Sequence, residues 1–257
     1  MTRTPDDDQH PVLPGCEPWR SDGGPNGALV LHGFTGSPVS MRPLGEVLAD
    51  AGFAVELPRL PGHGTSPQDL ALTTWSDWLA EAERSLAALQ ARTSGQVVVV
   101  GLSMGGALTM TLAASHPELA GIVVINAPVA VPPELAAGIN AMIDGGVDII
   151  ESIGGDLADP DADEASYDQT PLRPLLTMFE AGGDIRDRLG DIRCPALVIT
   201  SRQDHVVTPT DSDVIAGALG GPVEHLWLEK SFHVATLDYD RAEVESRTVE
   251  FAQRVTA

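Results

Sequence analysis

Val97-Val-Val-Val-Gly-Leu-Ser-Met-Gly-Gly-Ala107 is the stretch on which the fold turns. Its four valines form a run apolar throughout, as suits a parallel strand covered on both faces. Gly101-Leu-Ser103-Met-Gly105 follows without a break, and a helix is predicted over 105–116, stopping before Pro117. A strand-to-helix turn this tight leaves room only for glycine beside the serine, and its strained geometry lifts the serine Oγ clear of the backbone. The helix aims its N-terminus at the same place, where free N–H groups favour a developing negative charge. Two other glycine-rich turns do not fit. A dinucleotide fingerprint needs G-x-G-x-x-G and a phosphate loop needs Gly-Lys-Ser/Thr, and neither is present.

Outward from that turn, short β-branched runs alternate with helix-period segments. Strands are predicted at 28–32, 54–57, 97–102, 122–127, 196–201 and 225–228. Helices are predicted at 41–51, 74–92, 105–116 and 241–255, the second placing Trp75, Trp78, Leu79, Ala82, Leu86 and Leu89 on one stripe. Such alternation gives an α/β fold with a mostly parallel central sheet flanked by helices. At 257 residues the chain is one large domain or a domain with an insertion. Residues 128–191 break the alternation, and some 60 residues are too many for a loop. They read as an inserted helical cap with short helices near 136–143, 147–153 and 174–180. Glycine pairs at 145–146, 154–155 and 182–183 read as turns. The core is then 1–127, with an N-terminal extension over 1–26, and 192–257.

A serine nucleophile needs a base and an acid, and in this type of fold they follow it in the order acid, then histidine. Asp204 stands just after the strand at 196–201, and His233 lies in the loop between the strand at 225–228 and the last helix. Ser103, Asp204 and His233 therefore occupy strand ends, where sites gather in open α/β sheets. Asp211 and Asp213 look like helix caps and are weaker candidates. His205 adjoins the acid and His225 lies within a strand, so both compete poorly with His233. At the end of the first strong strand, His32-Gly33-Phe34-Thr35-Gly36 can bring a backbone N–H of Phe34 to the site, with a second from Met104. His32 is expected to bond backbone and shape this loop.

Composition narrows the partners. Fifteen basic against 37 acidic residues leave a formal charge of −22. That surface repels phosphate backbones and opposes nucleic-acid binding and polybasic membrane docking. It also argues against an acyl-CoA thioesterase and favours neutral or cationic substrates. Cys16 and Cys194 match no metal-ligand spacing and read as two free thiols. Without an apolar leader or an 18-residue apolar run, a cytoplasmic protein with no stable membrane insertion is expected. A homodimer is compatible with the sequence. Asp159, Asp161 and Asp163 have the 1-3-5 spacing of a calcium loop. However, Glu164 stands where its glycine is needed and Thr170 where its glutamate is needed, so a solvated helix-start cluster is the better reading. Asp6–Asp8 reads as a frayed acidic tail.

With these residues in place, the chain resembles the bacterial monoacylglycerol lipases and small carboxylesterases of the α/β-hydrolase superfamily. The likeness is carried by His32-Gly-Phe-Thr-Gly36, Leu57-Pro-Arg-Leu-Pro-Gly-His-Gly64, Gly101-Leu-Ser-Met-Gly-Gly106, Asp204-His-Val-Val207 and Phe232-His-Val-Ala-Thr-Leu-Asp-Tyr239. Ser152-Ile-Gly-x-Asp-Leu157, in the cap, resembles the monoacylglycerol lipases in particular. The resemblance implies Ser103, Asp204 and His233 as a triad, Phe34 and Met104 as oxyanion donors, and no metal or organic cofactor. It implies a neutral lipid ester, a monoacylglycerol, cleaved to fatty acid and glycerol. The alternative is a general short- to medium-chain carboxylesterase using the same triad. Glu164 is then expected to accept the glycerol hydroxyls and Ile153 to shape that pocket. Residues 172–187 depart from the family pattern and leave the acyl-chain wall undefined.

Overall fold

The computed structural model describes residues 2–129, 131, 133–152 and 155–257. Its strands are β1 (Trp19–Ser21), β2 (Gly27–Leu31), β3 (Ala54–Leu57), β4 (Val97–Leu102), β5 (Gly121–Ile125), β6 (Ile149–Glu151), β7 (Gln169–Pro171), β8 (Ala196–Ser201) and β9 (Val223–Leu228). Its helices are α1 (Arg42–Asp50), α2 (Pro67–Leu70), α3 (Trp75–Arg92), α4 (Met104–Ser115), α5 (Pro133–Asp144), α6 (Leu172–Arg188), α7 (Pro209–Ala218) and α8 (Arg241–Val255). Seven strands form one sheet in the order β1-β3-β2-β4-β5-β8-β9. Only β1 runs antiparallel to its neighbour; the rest are parallel.

The apolar runs account for this layering. Strands β2, β4, β5 and β8 are buried at every position because both sheet faces are covered. Leu29, Leu31, Val97, Val99, Ile122 and Val124 join α3 and α4 on one face. Ala28, Val30, Val98, Val100, Val123 and Ile125 join α1 and α8 on the other. Helix α4 is buried continuously from Met104 to Met110 and crosses the sheet in near contact. A methyl on Gly105 would lie 2.2 Å from the Leu31 carbonyl oxygen, and one on Gly101 would lie 2.1 Å from that of Gly105. Backbone meets backbone here, so glycine is required for space.

The segment between β5 and β8 differs from its expectation in three places. Residues 147–153 were expected as a helix. Instead, Ile149–Glu151 is strand β6, paired antiparallel with β7. Adjacent β-branched isoleucines suit a pleated pair, and the helix reading lacked any partner for it. The helix expected at 174–180 is α6, 17 residues long, and it runs straight through Gly182–Gly183, which was read as a turn. One face of α6 buries Ala181, Gly182 and Ile185, and that packing outweighs about 1 kcal/mol of helix propensity lost per glycine. The acidic run is not a helix start. Asp159 Oδ1 accepts the Asp161 N–H at 3.0 Å and Asp163 Oδ1 accepts that of Ala165 at 2.8 Å, so both carboxylates close turns. The helix near 136–143 is present as α5, and 145–146 is a turn.

The N-terminus also departs from the frayed tail expected of it. The Asp8 carboxylate is buried against the Arg59 guanidinium and also accepts the Gly62 N–H at 3.0 Å. Asp69 accepts the N–H groups of Gln9 and His10, and Asp77 accepts that of Arg3. Charge complementarity with one buried arginine holds what composition alone marks as disordered. Cys16 is buried, Cys194 half-buried, and both are free thiols. Among the described residues no helix is long and apolar enough to cross a membrane.

Candidate functional site

Ser103 joins β4 to α4 with φ 56° and ψ −120°, a left-handed conformation that costs an ordinary residue on the order of 1–3 kcal/mol. The crossing of β2, β4 and α4 over-determines it, and the Ser103 N–H is held by the Ile125 carbonyl at 2.8 Å. Met104 opens α4, so its N–H has no carbonyl one turn earlier within the helix. The loop after β2 lies alongside: a methyl on Gly33 would stand 3.4 Å from Ser103 Cβ. Phe34 and Ser103 line the same cavity.

His32 shapes this loop as the sequence suggested. Its Nε2 accepts the Leu60 N–H at 3.1 Å while Nδ1 lies 3.0 Å from the Gly33 carbonyl oxygen. Only the neutral ring protonated on Nδ1 satisfies both contacts. Complete burial pulls its pKa down to about 4, which keeps it in that form at neutral pH. Thr35, at φ 61°, receives a hydrogen bond at its carbonyl from the Tyr167 N–H at 3.0 Å. The Tyr167 hydroxyl, in turn, accepts from Thr65 N–H and donates to the Gly62 carbonyl. The segment between β5 and β8 therefore braces the loop beside Ser103.

Asp204 and His233 come from the loops after β8 and β9. His233 Nδ1 lies 2.8 Å from Asp204 Oδ2, and both side chains are nearly closed to solvent. Asp204 Oδ1 accepts the N–H groups of Val206 and Val207 at 2.8 Å each, which fixes the carboxylate. The four competing groups go elsewhere, Asp213 being exposed on α7. Asp211, in the first turn of α7, is buried and accepts the Val129 N–H at 2.9 Å. His225 meets Thr200 Oγ1, and His205 faces Asp156. Asn126 carried no sequence signal. Its Nδ2 donates to the His233 carbonyl at 2.7 Å and to Ser201 Oγ at 3.0 Å, while its Oδ1 accepts the Ser201 N–H. It ties the ends of β5 and β8 to the His233 loop at φ 46°.

Ser103 and His233 open onto one cavity of about 470 Å³, a size typical of a small-molecule site. Apolar side chains dominate its wall: Pro128, Val131, Leu135, Leu175, Met178 and Phe179, with Ile150, Val206 and Val207. Leu175, Met178 and Phe179 stand at i, i+3, i+4 on α6, within the stretch that departs from the family pattern. Their helical spacing was the available signal. Of the isoleucines and methionine at helical spacing between 139 and 153, Ile150 lines the cavity. Ile139 is buried instead, Met142 is exposed, and Ile153 lies outside the described residues. Glu164 lines the cavity together with Glu151, Asp156 and Asp211, and no lysine or arginine does so among the described residues. Burial raises the pKa of the Glu164 carboxyl, against the pull of its Ser166 hydrogen bond and of His233. Among the described residues no group of three or more His, Cys, Asp or Glu is arranged to hold a metal ion.

A mostly parallel sheet with helices on both faces, a serine on a strained strand–helix bend and a histidine–carboxylate pair at later strand ends define an α/β-hydrolase. Residues 28–245 match the family model for the alpha/beta hydrolases, and the chain belongs to that family. It is 45% identical over 248 residues to the thermostable monoacylglycerol lipase of Bacillus sp. (strain H-257), covering 95% of this chain and 97% of that one. A carboxylesterase of Bacillus subtilis (strain 168) is 27% identical over 244 residues, covering 93% and 97%. Among solved structures, one from work on two metagenome-derived lipolytic enzymes, LipS and LipT, superposes with a TM-score of 0.91. It is 41% identical, covering 95% of this chain and 100% of that chain.

Proposed function

We propose that this chain is a serine hydrolase that cleaves monoacylglycerols to free fatty acid and glycerol. The observation that carries the chemistry is the pairing of His233 with Asp204 on a cavity that also holds the strained Ser103. The 45% identity to a monoacylglycerol lipase over nearly the whole chain supports the substrate. Ser103 Oγ attacks the ester carbonyl while His233 Nε2 takes its proton. Asp204 holds the ring as the Nδ1–H tautomer and stabilises the imidazolium. The N–H groups of Phe34 and Met104 receive the oxyanion, each donor contributing on the order of 3 kcal/mol. His233 then protonates the departing glycerol oxygen, and water releases the acyl group from Ser103.

The apolar wall of α6 receives the acyl chain, and residues 128–191 act as the cap that selects it. Glu164 accepts the two free hydroxyls of the glycerol. A diacylglycerol lacks one of them and leaves the carboxylate desolvated and underpaired, which is the basis of rejection. The reading includes a cytoplasmic enzyme and is compatible with a homodimer, which light scattering on the purified protein tests.

The deciding experiment is a panel of 1-monoacylglycerols against di- and triacylglycerols and p-nitrophenyl esters, with fluorophosphonate labelling of Ser103. Preference for the monoacylglycerols with labelling supports the reading. Labelling with equal turnover of simple esters would make the protein a general carboxylesterase, and absence of labelling would end the serine mechanism.

A further inference from the structure

Asp156 belongs to the segment between β5 and β8, yet its side chain is spent on the two loops that carry the acid and the base. Its Oδ2 accepts the His205 N–H, the peptide directly after Asp204, at 3.1 Å, and the His233 N–H, also at 3.1 Å. Its Oδ1 lies 2.8 Å from His205 Nδ1, and its own carbonyl accepts the Val234 N–H at 3.2 Å. The carboxylate is only 10% exposed. Asp238 completes the junction from the opposite side. Its carboxylate accepts the N–H groups of Ala158 and Asp159, and also that of Phe232. The residues around 156–159 are thereby stitched to the His233 loop in both directions.

We propose that Asp156 is a positioning residue for hydrolysis: one oxygen, shared by the backbones of His205 and His233, sets the spacing of the Asp204–His233 pair relative to Ser103. The inference rests on the serine mechanism proposed above. Its physical basis is that proton transfer to His233 is sensitive to displacement, a misplacement of about 1 Å costing on the order of a hundredfold in rate. Length and acceptor geometry matter here, and charge does not. An asparagine offers the two peptides the same oxygen and turns its amide toward His205 Nδ1. A glutamate keeps the charge but displaces the oxygen by a methylene.

The test is steady-state kinetics on p-nitrophenyl acetate and monolauroylglycerol, normalised to sites titrated with a fluorophosphonate. Asp156→Ala is expected to lower kcat roughly 10- to 100-fold on both substrates, with KM changed less than about threefold. Asp156→Asn is expected to restore most of that rate, Asp156→Glu is not, and His205→Ala is expected to stay near wild type. A purely structural role would lower the titratable fraction or the melting temperature and leave kcat per site unchanged, which overturns the proposal. So does a glutamate variant more active than the asparagine variant, a comparison that holds even if the alanine variant does not fold. A wild-type protein that is not labelled at Ser103 overturns the serine mechanism itself. A labelled wild type beside an unimpaired Asp156→Ala overturns this proposal alone.

Discussion

The bend at Ser103 and the segment between β5 and β8 both line one cavity but are built by different rules. At the bend, the chain passes within van der Waals contact of itself, so Gly101 and Gly105 are dictated by backbone clashes near 2 Å. In the other segment, α6 lines the site through side chains of ordinary size at helical spacing, and many apolar residues would serve there. The first region tolerates almost no change in residue type. The second tolerates change in type but not in volume, which makes it the natural place for specificity to vary.

The largest expected effect lies at the bend. Gly105→Ala drives a methyl into the Leu31 carbonyl and should abolish soluble, folded protein, checked by yield and circular dichroism. Ser103→Ala has no such clash and should fold normally while hydrolysis falls thousands-fold or more. An alanine variant that still forms an acyl-enzyme would remove the contrast between the two walls altogether. On the other wall, Met178→Trp should fill part of the apolar cavity. The expected result is about a tenfold loss in kcat/KM for monolauroylglycerol, worth roughly 1.4 kcal/mol, with p-nitrophenyl acetate nearly unchanged.

Smaller effects sharpen the comparison further. Glu164→Ala should cut kcat/KM for monolauroylglycerol several-fold, consistent with losing a charged hydrogen bond of about 1–2 kcal/mol. It should spare p-nitrophenyl butyrate, and an unchanged ratio of the two substrates would leave Glu164 without a role in head-group choice. A separate effect, on stability and not on turnover, concerns pH. The unfolded chain protonates His32 as pH falls below 6.5, whereas the folded chain resists until about 4, so stability contributed by the neutral ring is lost across that window. Thermal melts of His32→Gln should show a shallower loss between pH 6.5 and 4 than wild type.

What could be read before folding was whatever local chemistry specifies. The valine run, the glycines around Ser103 and the order Ser103, Asp204, His233 carry their meaning in short strings, because strand ends and tight turns constrain residue type directly. The buried ion pair of Asp8 with Arg59 could not be read that way, since 51 positions separate its partners and a row of aspartates looks alike whether solvated or paired. Nor could the path of α6 through Gly182–Gly183, where tertiary packing of one face overrode local propensity. Ile149–Glu151 became a strand because Gln169–Pro171 lay beside it, and a three-residue strand exists only when its partner does. Asn126 and Asp156 show the same limit at the site. Asn126 belongs to no motif, and Asp156 is read in Ser152-Ile-Gly-x-Asp-Leu157 only as part of a resemblance; which distant backbones their polar atoms reach is set once the chain has closed.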